Sequence, residues 1–305
     1  MSEFIQVGID GGWIPDAGRD AAALRELVNR RLTAIASKFS GHAPALGAAM
    51  SEAVLAPGKR FRATLMLMTA EANGGVSAAV LDAAAAVEIV HAASLIIDDL
   101  PAMDNATLRR GRPSTHLAQG ESRAILAGIA LVAEGFRLLS NLPECDAGCR
   151  ARAVTIMAEG IGHTGLCAGQ ELDLHAPKTM ESVAREQDLK TGALFSAGFD
   201  IVAALHGMDT EGSAALSGLA RQLGRVFQAY DDLRDVVGSG ESLGKDQGLD
   251  SMFLRKGLLS VSRQADTLSY YHTLRNDLAA ALNKLQFDSR NLSNYIFTVL
   301  PIHNG

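Results

Sequence analysis

Aromatic side chains are scarce in this chain, 5% of 305 residues with a single Trp and four Tyr. Beside abundant Ala and Leu, that scarcity argues against an extensive sheet and for helix. A basic excess is also missing: 28 Lys and Arg against 34 Asp and Glu leave a formal charge of −6, with the cations clustered in a few places. A nucleic-acid surface is thereby disfavoured, and a small anionic partner fits better. Cysteine is limited to Cys145, Cys149 and Cys167, an odd count without a C-x-x-C pair. Spacing leaves a structural Cys145–Cys149 pair open, but reduced thiols in a cytoplasmic protein are the expectation. The N-terminal residues MSEFIQVGID lack the basic-then-apolar layout of a secretory signal, and no uncharged apolar run reaches the length of a bilayer. No membrane span is expected. Internal repeats, linkers and a credible strand pair are absent too. What remains is 48% hydrophobic residues and one all-α domain expected over 1–305, with 1–17 as an irregular arm.

Apolar residues at three- and four-residue steps predict a helix from Asp20 and another over about 44–55. Pro57-Gly58-Lys59-Arg60-Phe61-Arg62 then opens a third, directing backbone N–H groups and cations to one place, as an anion site requires. Further helices are predicted over about 76–97, 121–141 and 149–175, the last rich in glycine and ending in GQELDL. Lys190-Thr191-Gly192 introduces another. A periodic helix from Ser213 runs into FQAYDDLRD, after which the Gly-rich residues 238–250, including Lys245, have the composition of a lid. The tail from Met252 to about Leu285 is helical again.

The chain is organised around residues 88–116, EIVHAASLIIDDLPAMDNATLRRGRPSTH, where an apolar helix ends in acid and then in base. Asp98, Asp99 and Asp104 offer hard carboxylate oxygens of the kind magnesium prefers, and Arg109, Arg110 and Arg112 follow closely. Acid beside base points to a metal-bridged phosphate. One acidic cluster at a helix end is ordinarily just solvated, but a second, Asp231, Asp232 and Asp235, stands about 130 residues on. Two such helices are what is needed to clamp shared metal ions across a cavity.

HAASLIIDDLPAMD with LRRGRP, then FQxxDDxxD, resembles the trans-isoprenyl diphosphate synthase family, and within it the bacterial geranylgeranyl diphosphate synthases of the carotenoid-pathway type. The likeness covers about Gly58 to Asp250, with six motifs in family order. It implies a helical bundle of the isoprenoid-synthase type around a central apolar cavity, and a homodimer. It assigns Asp98, Asp99, Asp104, Asp231, Asp232 and Asp235 to three magnesium ions bridging to the allylic diphosphate. Lys59, Arg62, His91 and Arg110 match positions that hold isopentenyl diphosphate. Arg109, Lys190, Thr191, Gln228 and Lys245 match those contacting the allylic diphosphate, whether dimethylallyl, geranyl or farnesyl. Gln170 and Asp173 match a mid-chain GQxxD motif beside cavity and metals. The sequence departs from the family pattern at Pro57, Ala63, Ile97, Asn105 and Ala106, none of them a predicted ligand.

The implied reaction is ionisation, condensation and elimination, which needs charge at the mouth of a dry apolar pocket. A terpene cyclase would not require the second diphosphate site that GKRFR and LRRGRP create. A non-catalytic partner subunit would be expected to lack an aspartate motif, and both are whole; diphosphate hydrolysis remains open. Product length is expected to follow Ala93, with Ser94 beside it, five residues before Asp98. In resembling fifteen-carbon synthases an aromatic commonly forms the floor there, so alanine implies a deeper tunnel and geranylgeranyl rather than farnesyl diphosphate.

Overall fold

Local signals explain most helix ends. The computed structural model describes residues 19–177, 179–237 and 264–301. Helix α1 (Ala21–Ala36) starts where the Asp20 carboxylate accepts from the Ala23 N–H at 2.8 Å, and α2 (Pro44–Leu55) starts on a proline, which has no N–H in need of an acceptor. After α3 (Phe61–Ala72), Ser77 caps α4 (Ala78–Asp98) by accepting from Val80 N–H. A hairpin of β1 (Leu108–Arg109) and β2 (Arg112–Pro113) follows, then α5 (Thr115–Gln119), α6 (Glu121–Ser140) and α7 (Ala147–Ile161). Next come α8 (Leu166–His175), α9 (Met180–Gln187), a π-helical turn Asp188–Gly192, α10 (Ala193–Leu205) and α11 (Thr210–Val237). Helices α12 (Gln264–Leu282) and α13 (Arg290–Val299) complete the described chain.

These residues pack as two compact units. One runs to Thr155 and takes in Ile201–Gly207; the other comprises Ile156–Asp200 and the chain from Met208 onward. No linker marks the seams, which at Thr155–Ile156 and Asp200–Ile201 fall within helices.

The first unit is built around α4, buried at every position from Ala79 to Val90. A helix apolar on all sides belongs in a core. By length and a mean hydropathy of 1.9 it could also cross a membrane, yet 72% of that stretch is buried within the protein. The two acids in its buried part are both partnered: Asp82 takes two bonds from Arg31, at 2.5 and 2.9 Å, and Glu88 accepts from Ala63 N–H at 3.2 Å. Helix α6 approaches α4 through Gly135 and Gly128, where an added Cβ would lie 2.5 Å from Val90 and 2.7 Å from Ile97.

In the second unit the apolar stripe of the periodic helix α11, Leu216, Leu219, Leu223 and Val226, is fully buried, and Phe227 meets Phe195 with ring centroids 5.8 Å apart. Thr179 and Ser182 cap α9 reciprocally.

Three expectations need correction. The helix foreseen over 149–175 is two helices, broken at 162–165, where Gly165 passes so close to the Gly160 carbonyl that a Cβ would lie 2.2 Å from its oxygen. Lys190-Thr191-Gly192 does not introduce a helix; it lies in a π turn within continuous helix 180–205. The missing strand pair exists in miniature, because Arg110 (φ 55°) and Gly111 (φ 74°) are both left-handed and turn LRRGRP into a two-residue hairpin with Arg109 opposite Arg112. The arm 1–17, the lid 238–250 with Lys245, and residues 251–263 of the tail lie outside the described residues.

Candidate active site

Helix α4 ends at Asp98, and Asp99 is its C-cap. The chain then folds back: Asp104 N–H donates to the Asp98 carbonyl at 2.9 Å, and Asn105 N–H to that of Leu100 at 3.0 Å. Asn105 makes this turn in the left-handed region (φ 50°), which asparagine tolerates well. Three acidic residues are thus gathered at the negative end of a helix dipole, an arrangement that demands positive charge.

The hairpin supplies it. Arg109 Nε donates to Asp99 at 2.9 and 3.2 Å, a second guanidinium nitrogen donates to the same carboxylate, and the nearest Asp98 oxygen is 4.0 Å away. Asp99 is only 2% exposed, and burial raises its carboxyl above the usual range while Arg109 opposes the shift. Burial opposes the Arg109 charge in turn, but the bond to Asp99 and the charges of Asp99, Asp98 and Asp104 outweigh it, leaving the guanidinium more firmly protonated.

Arg110 turns the other way. Its Nη1 donates to the Pro57 carbonyl at 2.7 Å, and its guanidinium occupies the space that a Cβ on Gly58 would need. Glycine at 58 leaves that space free for Arg110. Of the three cations expected at that turn, Arg60 is withdrawn. It is 8% exposed, it donates to Asn29 Oδ1 at 3.1 Å and to the Ala56 carbonyl at 3.0 Å, and it lies 3.9 Å from Glu88. Arg60 is therefore a strut. Lys59 is exposed on the same turn, and half-buried Arg62 lies 3.5 Å from the His91 Nε2. Burial first, then the charges of Arg62, Arg110, Arg109 and Arg60, hold His91 well below its ordinary pKa, so it is neutral at pH 7. A pocket in this unit joins His91, Arg109, Arg110 and Arg112 to an apolar wall of Ala92, Leu95 and Ile96. Ala93 is fully buried and does not line this pocket, and half-buried Ser94 donates to the His91 carbonyl at 2.9 Å.

In the second unit glycines bring helices onto the π turn. A Cβ on Gly169 of α8 would lie 2.2 Å from the Lys190 nitrogen, and one on Gly224 of α11 would lie 2.7 Å from the Gly192 Cα. Only glycine permits both approaches. Because α8 sits so close, Lys190 Nζ reaches the buried Asp173 carboxylate at 2.7 Å; because α11 does, Thr191 Oγ1 donates to Gln228 Oε1 at 2.9 Å. Gln170 is half-buried on α8 one turn before Asp173, and Asp231 is half-buried one turn after Gln228 on α11, which also carries Asp232 and Asp235.

Each half of the predicted site thus pairs its acids with its bases: Arg109 with Asp99, and Lys190 with Asp173. The carboxylates are hard donors of the right chemistry for a divalent cation. Among the described residues no three acid, His or Cys side chains gather closely enough to hold an ion unaided.

The family model described as Polyprenyl synthetase matches residues 43–265. The chain belongs to this family. Family membership makes it a prenyltransferase. It is 38% identical to the geranylgeranyl diphosphate synthase of Pantoea ananas over 77% of this chain and 80% of that one. It is 35% identical to the farnesyl diphosphate synthase of Haemophilus influenzae over 89% and 94%. A crystal structure of the Helicobacter pylori geranyltransferase complexed with magnesium and isoprenyl diphosphate superposes with a TM-score of 0.80 at 28% identity, covering 94% and 99%.

Sequence reasoning passed over Glu88, Asp188 and Arg225. Glu88 sits three residues before His91 in the central motif, and Arg225 three before Gln228, so helical spacing from a motif residue would have found both. Asp188 carries no local signal; its partner lies 37 residues away.

Proposed function

We propose that this prenyltransferase condenses isopentenyl diphosphate head-to-tail with allylic diphosphates and releases geranylgeranyl diphosphate. The observation that carries the reading is the pocket in which Arg109, bonded to Asp99, stands with Arg110, Arg112 and His91 over an apolar wall. Lys59, Arg62, His91 and Arg110 bind the isopentenyl diphosphate. Neutral His91 contributes a hydrogen bond without adding charge. Arg109, Lys190, Thr191, Gln228 and Lys245 bind the allylic diphosphate, with Gln170 and Asp173 beside it and the Asp173 carboxylate orienting Lys190. For phosphate to be gripped, Arg109 and Lys190 must exchange carboxylate oxygens for phosphate oxygens. Asp98, Asp99, Asp104, Asp231, Asp232 and Asp235 would hold three Mg2+ ions. Bound there, magnesium supplies the positive charge that offsets the departing diphosphate. The wall of Ala92, Leu95 and Ile96 excludes water from the allylic cation.

The two compact units act as one catalytic domain in this reading, since the family match spans both. The enzyme works as a homodimer: Ile125, Leu126 and Ile129 on α6 are 42%, 54% and 60% exposed, an apolar face suited to a second copy. Three free thiols accord with a reducing cytoplasm.

Farnesyl diphosphate as product is the second reading, favoured by the nearly full-length match to the Haemophilus enzyme. Incubation with magnesium, isopentenyl diphosphate and each short allylic diphosphate separates the two by chain length. Twenty-carbon product is expected from wild type, and fifteen-carbon product from Ala93→Tyr. Fifteen carbons from wild type would favour the second reading, and no prenyl product would refute both.

A further inference from the structure

The ion pair between Asp188 and Arg225 has no part in the reading above. Asp188 opens the π turn, and Arg225 lies one helical turn before Gln228 on α11. The guanidinium meets the carboxylate in two bonds, Nε to Oδ1 and Nη2 to Oδ2, each 2.7 Å. A two-pronged pair fixes orientation as well as distance. The bond to Asp188 holds the Arg225 guanidinium above its ordinary pKa. Tyr270 of α12 lies near enough to feel both charges.

A π turn is rare because its widened ladder packs poorly, and single turns of this kind persist where neighbours hold them. Besides the bonds of Lys190 and Thr191, three contacts hold the frame of this one. Gly169 lies under the Lys190 backbone, Gly224 lies against Gly192, and Arg225 grips Asp188. The two glycine contacts permit close approach without directing it. The bonds of Lys190 to Asp173 and of Thr191 to Gln228 act in the middle of the turn, on the side chains it presents; the pair with Arg225 adds a two-pronged directed attraction at its first residue. If the turn relaxed to α-helix, one residue of register would rotate the side chains by about 100° and separate Lys190 from Asp173 and Thr191 from Gln228.

We propose that Asp188 and Arg225 are positioning residues: the pair fixes the π register that presents Lys190 and Thr191 to the allylic diphosphate. The proposal rests on the diphosphate role given to those two residues above.

Asp188→Asn, Arg225→Gln and the exchanged double variant Asp188→Arg/Arg225→Asp test it. Hydrogen exchange of the 186–194 segment is read on the ligand-free protein, and KM for each substrate by steady-state kinetics. Each single variant should exchange faster in this segment and raise the allylic KM by about tenfold, as expected for a displaced binding group. The isopentenyl KM should not change, and the exchanged pair should recover both properties to within about threefold. Unchanged exchange in the single variants would show that the pair does not hold the turn, whether or not the wild type makes a prenyl product. Faster exchange with an unchanged allylic KM, or an equal rise in both KM values, would overturn the positioning role. A wild type without prenyl product would refute the functional reading and the allylic role together, while exchange would still report on the pair.

Discussion

Arg109 and Asp99 show how one contact serves both stability and chemistry. The Asp99 side chain is 3% exposed and its partner 37% exposed, so the pair is neither fully buried nor fully screened. Arg109→Gln leaves a buried carboxylate without its cation, and should cost about 1–3 kcal/mol, the cost for a buried pair reduced by partial exposure. Urea unfolding in EDTA measures this loss. Added magnesium should raise the melting temperature of the variant more than that of wild type, because Asp99 has lost its internal competitor. Equal shifts would argue against metal binding at this carboxylate. His91 gives a pH dependence. Its folded pKa is lowered, so below about pH 6.5 the unfolded chain takes up a proton that the folded protein refuses. The associated stability is complete above the unfolded pKa and is lost as pH falls toward the folded one. Between about pH 6.5 and 5.5, wild type should lose about 1 kcal/mol more than His91→Gln in urea unfolding of ligand-free protein. Parallel slopes for the two proteins would show that His91 titrates normally.

At the scale of elements, glycines decide which helices can share a site, and two of them predict opposite outcomes. A Cβ on Gly169 would meet backbone, with Lys190 N at 2.2 Å and Lys190 Cα at 2.6 Å, and a helix pair cannot yield by that much locally. Gly169→Ala should therefore destabilise by about 1–3 kcal/mol and raise the allylic KM. A Cβ on Gly58 would meet only the mobile end of Arg110, at 2.7–3.3 Å. Gly58→Ala should leave stability within about 0.5 kcal/mol of wild type while raising the isopentenyl KM, because Arg110 must leave the Pro57 carbonyl. Urea titration and substrate kinetics on the two variants would show the contrast. A similar stability loss in both would mean that the α8 approach is not the constraint. These close approaches were half legible: the glycine-rich 160–169 stretch signals a packing reason, but sequence does not say which backbone arrives there.

For the whole molecule, the apolar face of α6 is the feature that an isolated chain leaves unexplained. Ile129, 60% exposed, sits at i+3 and i+4 from Leu126 and Ile125 and extends one stripe. Sedimentation velocity should find a dimer for wild type and a monomer for Ile129→Glu, since burying a charge in an apolar interface is strongly unfavourable. A monomeric wild type would remove the dimer from the proposal. At this scale the sequence by itself determined the all-α class, most helix ends and the two acidic clusters. Capping residues, prolines and three- to four-residue periodicity act over a turn or two and need no distant partner. Only tertiary structure decided that Arg60 is a strut, that Arg109 rests on Asp99, and that Lys190 and Thr191 belong to a π turn. Those outcomes depend on meetings such as Arg60 with Asn29, Lys190 with Asp173 and Thr191 with Gln228, 31, 17 and 37 residues apart in the chain. Local propensity cannot encode such meetings, because they exist only once distant segments have come together, as Gly169 and Gly224 allow at the π turn.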